Sequence, residues 1–194
     1  TGGQSNTASG SGASVFNGRN NVASGQDSIV LGGAYNEATA QSSIVTGLYG
    51  KSTNIGQMVT GGGKFSVTGD AQESKYVLRR QTTDATTVNL GIDNAGIVPS
   101  ISDNGAWLFT AKIVAKSGSD IKAWKVEGIF YKNGTNNSAF LGTPTVTTVG
   151  ATAGANSWSV GTLAGSSTLN IRITGEAGRV INWVAKLETV EVIA

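Results

Sequence analysis

The chain contains no cysteine and no histidine among its 194 residues. Disulfides and thiol redox chemistry are therefore excluded. So are Cys–His and Ser–His–Asp nucleophilic systems, and zinc sites built on Cys or His ligands. Charge is scarce as well: 13% of residues are charged and the net charge is +2, too little for a strong field directed at nucleic acid. Lys112, Lys116, Lys122, Lys125 and Lys132 lie close together, but Asp120 and Glu127 interrupt them. Without interleaved aromatic–glycine motifs they read as a solvated face. No apolar run approaches 18 residues, so no transmembrane helix is expected, and no signal peptide is visible. Neither a nucleic-acid partner nor membrane insertion is expected, and no residue pattern calls for a metal or another cofactor.

Glycine is abundant instead, with 28 residues, and it recurs in phase with apolar pairs. Val15-Phe16, Ile29-Val30, Ile44-Val45 and Met58-Val59 are each followed by one residue and then Gly18, Gly32, Gly47 or Gly61, at spacings of 14, 15 and 14. A short fixed period signals a solenoid whose coils stack on their neighbours. A second unit lies between the pairs: Asn21 to Gln26, Asn36 to Gln41, then Thr53 to Gln57 without the Asn start. Residues 1–13 read as the tail of a preceding coil, with Asn6, Ala8 and Gly10 matching Asn21, Ala23 and Gly25. Fourteen residues suffice for two short strands and two turns, and Gly and Asn supply the left-handed turn angles. No stripe of period 3.6 argues for a helix. A flexible glycine/serine linker would have no reason to keep its apolar pairs in phase.

Neighbouring residues on a strand point to opposite faces. One member of each pair then fills the coil and the other faces out, which leaves a continuous apolar stripe. A stripe of that kind marks an interface, and closed rings of identical chains are a common way to bury it. Phe16, Val30, Val45 and Val59 are the expected interface residues of such a ring.

The S-[IV]-x-x-G and N-x-A-x-x-Q repeat over residues 1–62 resembles the head repeat of trimeric autotransporter adhesins, which also occurs in bacteriophage fibres. The resemblance implies three chains forming a left-handed parallel β-roll about a threefold axis. The chain begins inside a Gly-rich repeat, Thr1-Gly2-Gly3, and reads as the C-terminal fragment of a longer protein.

Gly61-Gly62-Gly63 ends the pattern, and residues 63–75 read as a connector. Strand-like runs then follow at 76–81, 86–92, 106–116, 121–132, 143–149, 157–163, 168–174 and 180–193, separated by turn signals such as Asp103-Asn104-Gly105 and Asn133-Gly134. Eight such runs predict a β-sandwich or jelly-roll head over residues 76–194. Alternation places Trp107, Phe109, Ala111, Ile113 and Ala115 on one face. It does the same for Trp124, Val126 and Phe130, for Leu169, Ile171 and Ile173, and for Trp183, Ala185 and Leu187. Leu108, Val114, Ile129, Tyr131 and Val184 fall on the opposite faces and are expected to pack against neighbouring chains. The stretch from Gly69 to Ala85, with Trp107-Leu108-Phe109 and Ile181 to Ala185, is similar to bacteriophage fibre C-termini. That similarity implies a distal domain that meets the host surface.

Glycoside cleavage needs two carboxylates some 5–9 Å apart. The sequence pairs none, although sheet neighbours such as Glu127 and Asp103, or an intersubunit pair, stay open. No catalytic residue is assigned and no enzyme is expected. Asp93-Asn94 and Asp103-Asn104-Gly105 are fragments of a calcium loop at best and read as turns. Tyr35 and Tyr49 follow repeat glycines and read as packing residues at coil corners. A sugar site needs an aromatic platform with amide partners. Two loops offer that, with Tyr131, Lys132, Asn133, Asn136 and Asn137 in one, and Asn156 and Trp158 in the other.

The sequence thus predicts an all-β chain, a trimeric parallel β-roll followed by a sandwich head. It reads as the distal fragment of a bacteriophage fibre, exposed on the virion and joined N-terminally to the remainder of it. The head is expected to bind a host surface polysaccharide or protein receptor. A purely structural trimerisation module and a bacterial adhesin head are the alternatives.

Overall fold

The structure is a computed structural model describing residues 3–135 and 137–194, with residue 137 described in its backbone only. It is all-β, apart from one short 3-10 turn among the described residues. The chain divides into two compact units. One holds the residues up to Tyr76 with Thr189–Ala194, and the other is Val77–Glu188.

The first unit opens with eight strands: β1 (Thr7–Ala8), β2 (Ser14–Val15), β3 (Val22–Ala23), β4 (Ile29–Val30), β5 (Glu37–Ala38), β6 (Ile44–Leu48), β7 (Lys51–Ser52) and β8 (Met58–Gly62). β2, β4, β6 and β8 pair in parallel, and β1, β3, β5 and β7 form a second parallel ladder. Each coil gives one strand to each ladder, so the unit is a β-roll. Its interior is thin. Val15, Val30, Val45 and Val59 from one ladder meet Ala23 and Ala38 from the other, and all are at most 3% exposed.

The register corrects the assignment of the apolar pairs. Val15 lies beside Val30, and Val30 beside Val45, so the first pair is Ser14-Val15 and not Val15-Phe16. Val30, Val45 and Val59 point into their own coil and are not the outward members. Those are Ile29, Ile44 and the 50%-exposed Met58. Phe16 is outward, at 58% exposure, one position beyond the end of β2 and level with Leu31.

Glycine position also differs from the sequence reading. Gly33, not Gly32, stacks between Gly18 and Gly47, all three at positive φ (101°, 96° and 90°). A Cβ on Gly18 would lie 2.0 Å from the Gly33 carbonyl oxygen. The coils pack backbone on backbone at this corner, which only glycine permits. Two residues further on, Asn20, Tyr35 and Tyr49 hold the left-handed conformation that completes the turn.

Asparagine side chains join the coils beneath that corner. Asn21 Nδ2 donates to Gly33 O (3.0 Å) and Asn36 Nδ2 to Gly47 O (2.8 Å). Asn6 Oδ1 accepts from Asn21 N (3.1 Å), Asn21 Oδ1 from Asn36 N (3.0 Å) and Asn36 Oδ1 from Gly50 N (2.8 Å). The fourth coil therefore carries Gly50 at the ladder position and starts its unit there, rather than at Thr53. β9 (Ala71–Thr82) then runs antiparallel to β8, with Met58 opposite Lys75, and occupies part of the stretch read as a connector.

The second unit holds the remainder of β9, followed by β10 (Thr87–Leu90), β11 (Gly105–Ser117), β12 (Asp120–Asn133), β13 (Asn137–Ala151), β14 (Ser159–Ala164), β15 (Leu169–Thr174) and β16 (Ile181–Ile193), the last of which ends in the first unit. Two sheets form, in the orders β13-β12-β11-β16-β9 and β10-β15-β14. Alternation fixes their faces. Trp107, Phe109, Ala111, Ile113, Trp124, Val126, Phe130, Leu169, Ile171, Ile173, Trp183, Ala185 and Leu187 are all buried. Leu108, Val114, Ile129 and Val184 lie on the opposite side and are exposed.

Candidate functional site

The residues expected to bind a ligand do not form one site. Lys122, which is not among them but donates to the carbonyls of Asn156 and Trp158 in the second loop, sits near one end of β12 and Lys132 near the other, roughly 33 Å apart along an extended strand. Lys132 marks the first loop. It is buried and ion-paired to Asp103 at 2.5 Å, so its charge is taken up within the fold. Tyr131 is half-buried, Asn133 is exposed, and Asn133 pairs with Asn137 at the strand ends. Asn104 Oδ1 ties this loop down by accepting from Gly134 N at 2.9 Å. Asn136 lies outside the described residues, and residue 137 is described only in its backbone.

The second loop corrects another expectation. Trp158 is no platform for a sugar, because it is 1% exposed and packs on Trp183 at 6.1 Å between ring centres. Its Nε1 donates to Glu176 Oε2 (3.1 Å), and the Arg179 guanidinium covers its ring at 5.1 Å. Asn156 is exposed, and its carbonyl accepts from Lys122 Nζ at 3.0 Å.

Around Trp158 the fold assembles two carboxylates that the sequence did not pair. Arg179 bridges them, donating to Asp120 Oδ2 through Nη2 and to Glu176 Oε2 through Nη1 at 3.2 Å. The Arg179 guanidinium and then the Thr152 hydroxyl hold Asp120 below the usual carboxylate range. The Trp158 indole N–H and then Arg179 do the same for Glu176. A glycosidase acid needs the opposite perturbation, a raised value that retains its proton. This arrangement is a clamp that fastens the loop before β14. Glu127 pairs with Lys125 and Asp103 with Lys132.

Two uncovered apolar features stand out, one in each unit. On the roll, Phe16, Ile29, Leu31, Ile44 and Met58 form a stripe on the outer face of the β2-β4-β6-β8 ladder, with Phe16, Leu31 and Met58 at least half exposed. In the second unit, Leu108, Ile129 and Leu141 stand level across β11, β12 and β13 at 58%, 36% and 66% exposure. At a roll corner Tyr35 and Tyr49 stack at 4.8 Å, flanked by Arg19 and Lys64.

The second unit also carries a groove that sequence reasoning missed. Arg80, Thr87, Val88, Asn89, Ala95, Gly96, Leu163 and Arg172 line about 410 Å³ open to solvent. Along β15, Arg172 alternates with the buried Ile171 and Ile173. No local spacing, however, links it to Arg80 on β9 or to the turn before Ile97.

The chain matches no protein-family model. Nor does it match any curated protein. Among solved structures it is similar to the tailspike protein gp49 of Acinetobacter baumannii bacteriophage Fri1, a capsular polysaccharide depolymerase, at 7% identity and a TM-score of 0.39 over 90% of this chain. It is also similar to the tailspike protein of Acinetobacter phage vB_ApiP_P1, at 9% identity and a TM-score of 0.33 over 94% of this chain. The chain spans 33% and 41% of those proteins' lengths. A likeness at this level assigns no residue and no activity.

Proposed function

We propose that the chain is the distal part of a homotrimeric bacteriophage fibre, exposed on the virion, and that it adsorbs to a surface polysaccharide of the host without cleaving it. The observation that carries this reading is the stripe of Phe16, Ile29, Leu31, Ile44 and Met58 on a roll whose own interior is so thin. A coil that hides one valine and at most two alanines gains little from burial, about 0.8 kcal/mol per buried methylene. Three copies burying the stripe about a common axis would supply the missing apolar contact. The row of Leu108, Ile129 and Leu141 offers a second surface of the same kind in the head. Three weak sites on one rigid trimer give avidity without tight individual binding. The remainder of the fibre would continue N-terminally from the roll.

Sedimentation equilibrium tests the assembly. The expected mass is three times the 19.7 kDa chain, and the double variant Leu31→Ser/Met58→Ser should fall to one chain with its β-sheet circular dichroism retained. A wild-type monomer at micromolar concentration would remove the reading. A purely structural trimer has one observation in its favour: Lys132 and Trp158, expected to bind ligand, are consumed by the fold. Adsorption of the isolated chain to cells would decide against that alternative.

A further inference from the structure

We propose that the groove between Arg80 and Arg172 binds an anionic sugar, its charge borne by a uronate carboxylate or a phosphate substituent. The proposal rests on the surface-binding reading above and names the ligand class of that function. Three observations converge on it.

The first is charge. The groove is lined by two guanidinium side chains and by no carboxylate. Neither arginine has an ion-pair partner among the described residues, whereas Arg179 in the same unit holds Asp120 and Glu176. The acids near these arginines in sequence are engaged elsewhere: Asp84 Oδ1 accepts from Thr86 N at 2.7 Å, Asp93 Oδ1 accepts from Gly96 N and Ile97 N, both at 2.8 Å, and Glu176 pairs with Arg179. Two partly buried guanidiniums without a counter-charge favour an external anion, and the planar fork suits carboxylate or phosphate oxygens.

The second is that one arm is already positioned. Arg80 Nη1 donates to the Asn94 carbonyl, and Asn94 Oδ1 accepts from Gln81 N at 2.9 Å. The turn after β10 is closed by Ile92 N donating to Ile97 O at 2.6 Å. Gly96, at a φ of 101°, lets that guanidinium lie against the turn, since an ideal Cβ there would be 3.3 Å from Nη1. An arginine held in this way loses less rotamer freedom on binding.

The third is the chemistry of the floor. Asn89 and Arg172 are partners across β10 and β15, and Thr87 stands beside Thr174. Asn89 Nδ2 donates to Asn170 Oδ1 at 3.2 Å, which orients the amide. Amide and hydroxyl groups beside two cations fit a polyhydroxylated anion better than an apolar one. On β14 the partner of Arg172 is Gly161, where an added Cβ would meet nothing within 4 Å. The face next to Arg172 is therefore bare, with room for a sugar ring.

The test titrates the full chain with trigalacturonate, its methyl ester and mannose 6-phosphate, followed by NMR chemical shifts. The expected result is millimolar binding of at least one of the two anionic sugars and none of the ester. Arg172→Gln and Arg80→Gln should each weaken that binding at least about tenfold. Gly161→Asp supplies an internal carboxylate beside Arg172, leaves both arginines in place, and should abolish binding. Which sugar responds identifies the source of the charge. Equal binding of acid and ester, undiminished binding in both arginine variants, or no binding of either anion at 10-fold above about 1 mM overturns the proposal. Adsorption of the labelled chain to a panel of encapsulated bacteria separates the two readings. If Arg172→Gln still adsorbs like wild type, the groove assignment falls and the fibre reading stands. If wild type binds the anion but adsorbs to no cell, the fibre reading falls and the groove stands.

Discussion

In the roll, a coil hides one valine and at most two alanines and is held by backbone ladders and stacked asparagines. In the second unit, Trp124 and Trp158 pack on Trp183 at 5.5 and 6.1 Å. The first unit depends on backbone geometry repeated at fixed intervals, the second on large side chains meeting from distant strands. The same kind of substitution should therefore have different consequences in the two. A core truncation is most damaging in the second unit, and a methyl group added to a corner glycine is most damaging in the first.

Trp183→Ala sets the upper end of that contrast. Trp183 is 1% exposed, and its Nε1 donates to Thr82 Oγ1 at 3.0 Å. Removing it leaves a cavity beneath two other indoles and frees a buried hydroxyl. The expected cost is about 3–5 kcal/mol, read from urea denaturation. A loss under about 1 kcal/mol would mean that these indoles do not carry the core.

Next in size is a matched pair in the roll, Gly33→Ala against Gly32→Ala. Gly33 has a φ of 96°, and its added Cβ would lie 1.8 Å from the Gly47 carbonyl oxygen. At Gly32 the same atom meets nothing within 4 Å. Gly33→Ala should cost at least about 2 kcal/mol from the left-handed conformation and the collision together, and Gly32→Ala should stay within about 0.5 kcal/mol. Equal effects at the two positions would show that the coils are in a different register.

This pair also marks where the sequence stops being legible. Periodicity is visible because every coil repeats it, and strand faces in the second unit are visible because alternation is local. Register in the roll is not. Coil one offers Val15-Phe16 and coil two offers Ile29-Val30-Leu31, so two alignments match equally well on hydrophobicity. The backbone decides, through which glycine must take a positive φ. Trp158 was misread for a related reason. It follows a run of Gly, Ala, Asn and Ser with no alternation, and the partners that bury it, Glu176, Arg179 and Trp183, all lie well downstream in sequence. The Arg80–Arg172 groove needs the same long-range knowledge. Single residues could be placed on faces, but their neighbours could not be named.

The smallest expected effect concerns Glu191, a carboxyl buried in the roll's unit whose pKa is raised. Glu191 is 7% exposed; Gln72 Nε2 donates to its Oε2 at 2.9 Å and Thr189 Oγ1 to its Oε1 at 2.6 Å. Burial raises its pKa above the ordinary glutamate value of 4.5, and the Thr189 and Gln72 donors only partly offset this. The folded state thus prefers the neutral acid. Its contribution to stability is complete below pH 4.5 and is lost as pH rises through the raised value. Other carboxyls act in the opposite sense. At Asp70 burial is outweighed by the N–H groups of Ser66, Val67 and Phe65. At Asp84 the Thr86 N–H lowers the pKa, at Asp93 that of Ile97, at Asp120 the Arg179 side chain and at Glu176 the Trp158 indole. The informative quantity is therefore the difference between Glu191→Gln and wild type, in which those groups cancel. Glutamine keeps the shape, offers its oxygen as an acceptor to Gln72 and its N–H as a donor to the Thr189 hydroxyl, and carries no charge. Its melting temperature should match wild type below pH 4.5 and exceed it by a few degrees at pH 7. A difference that does not change with pH, or one that favours wild type at neutral pH, would show that the carboxylate finds its counter-charge in the fold after all.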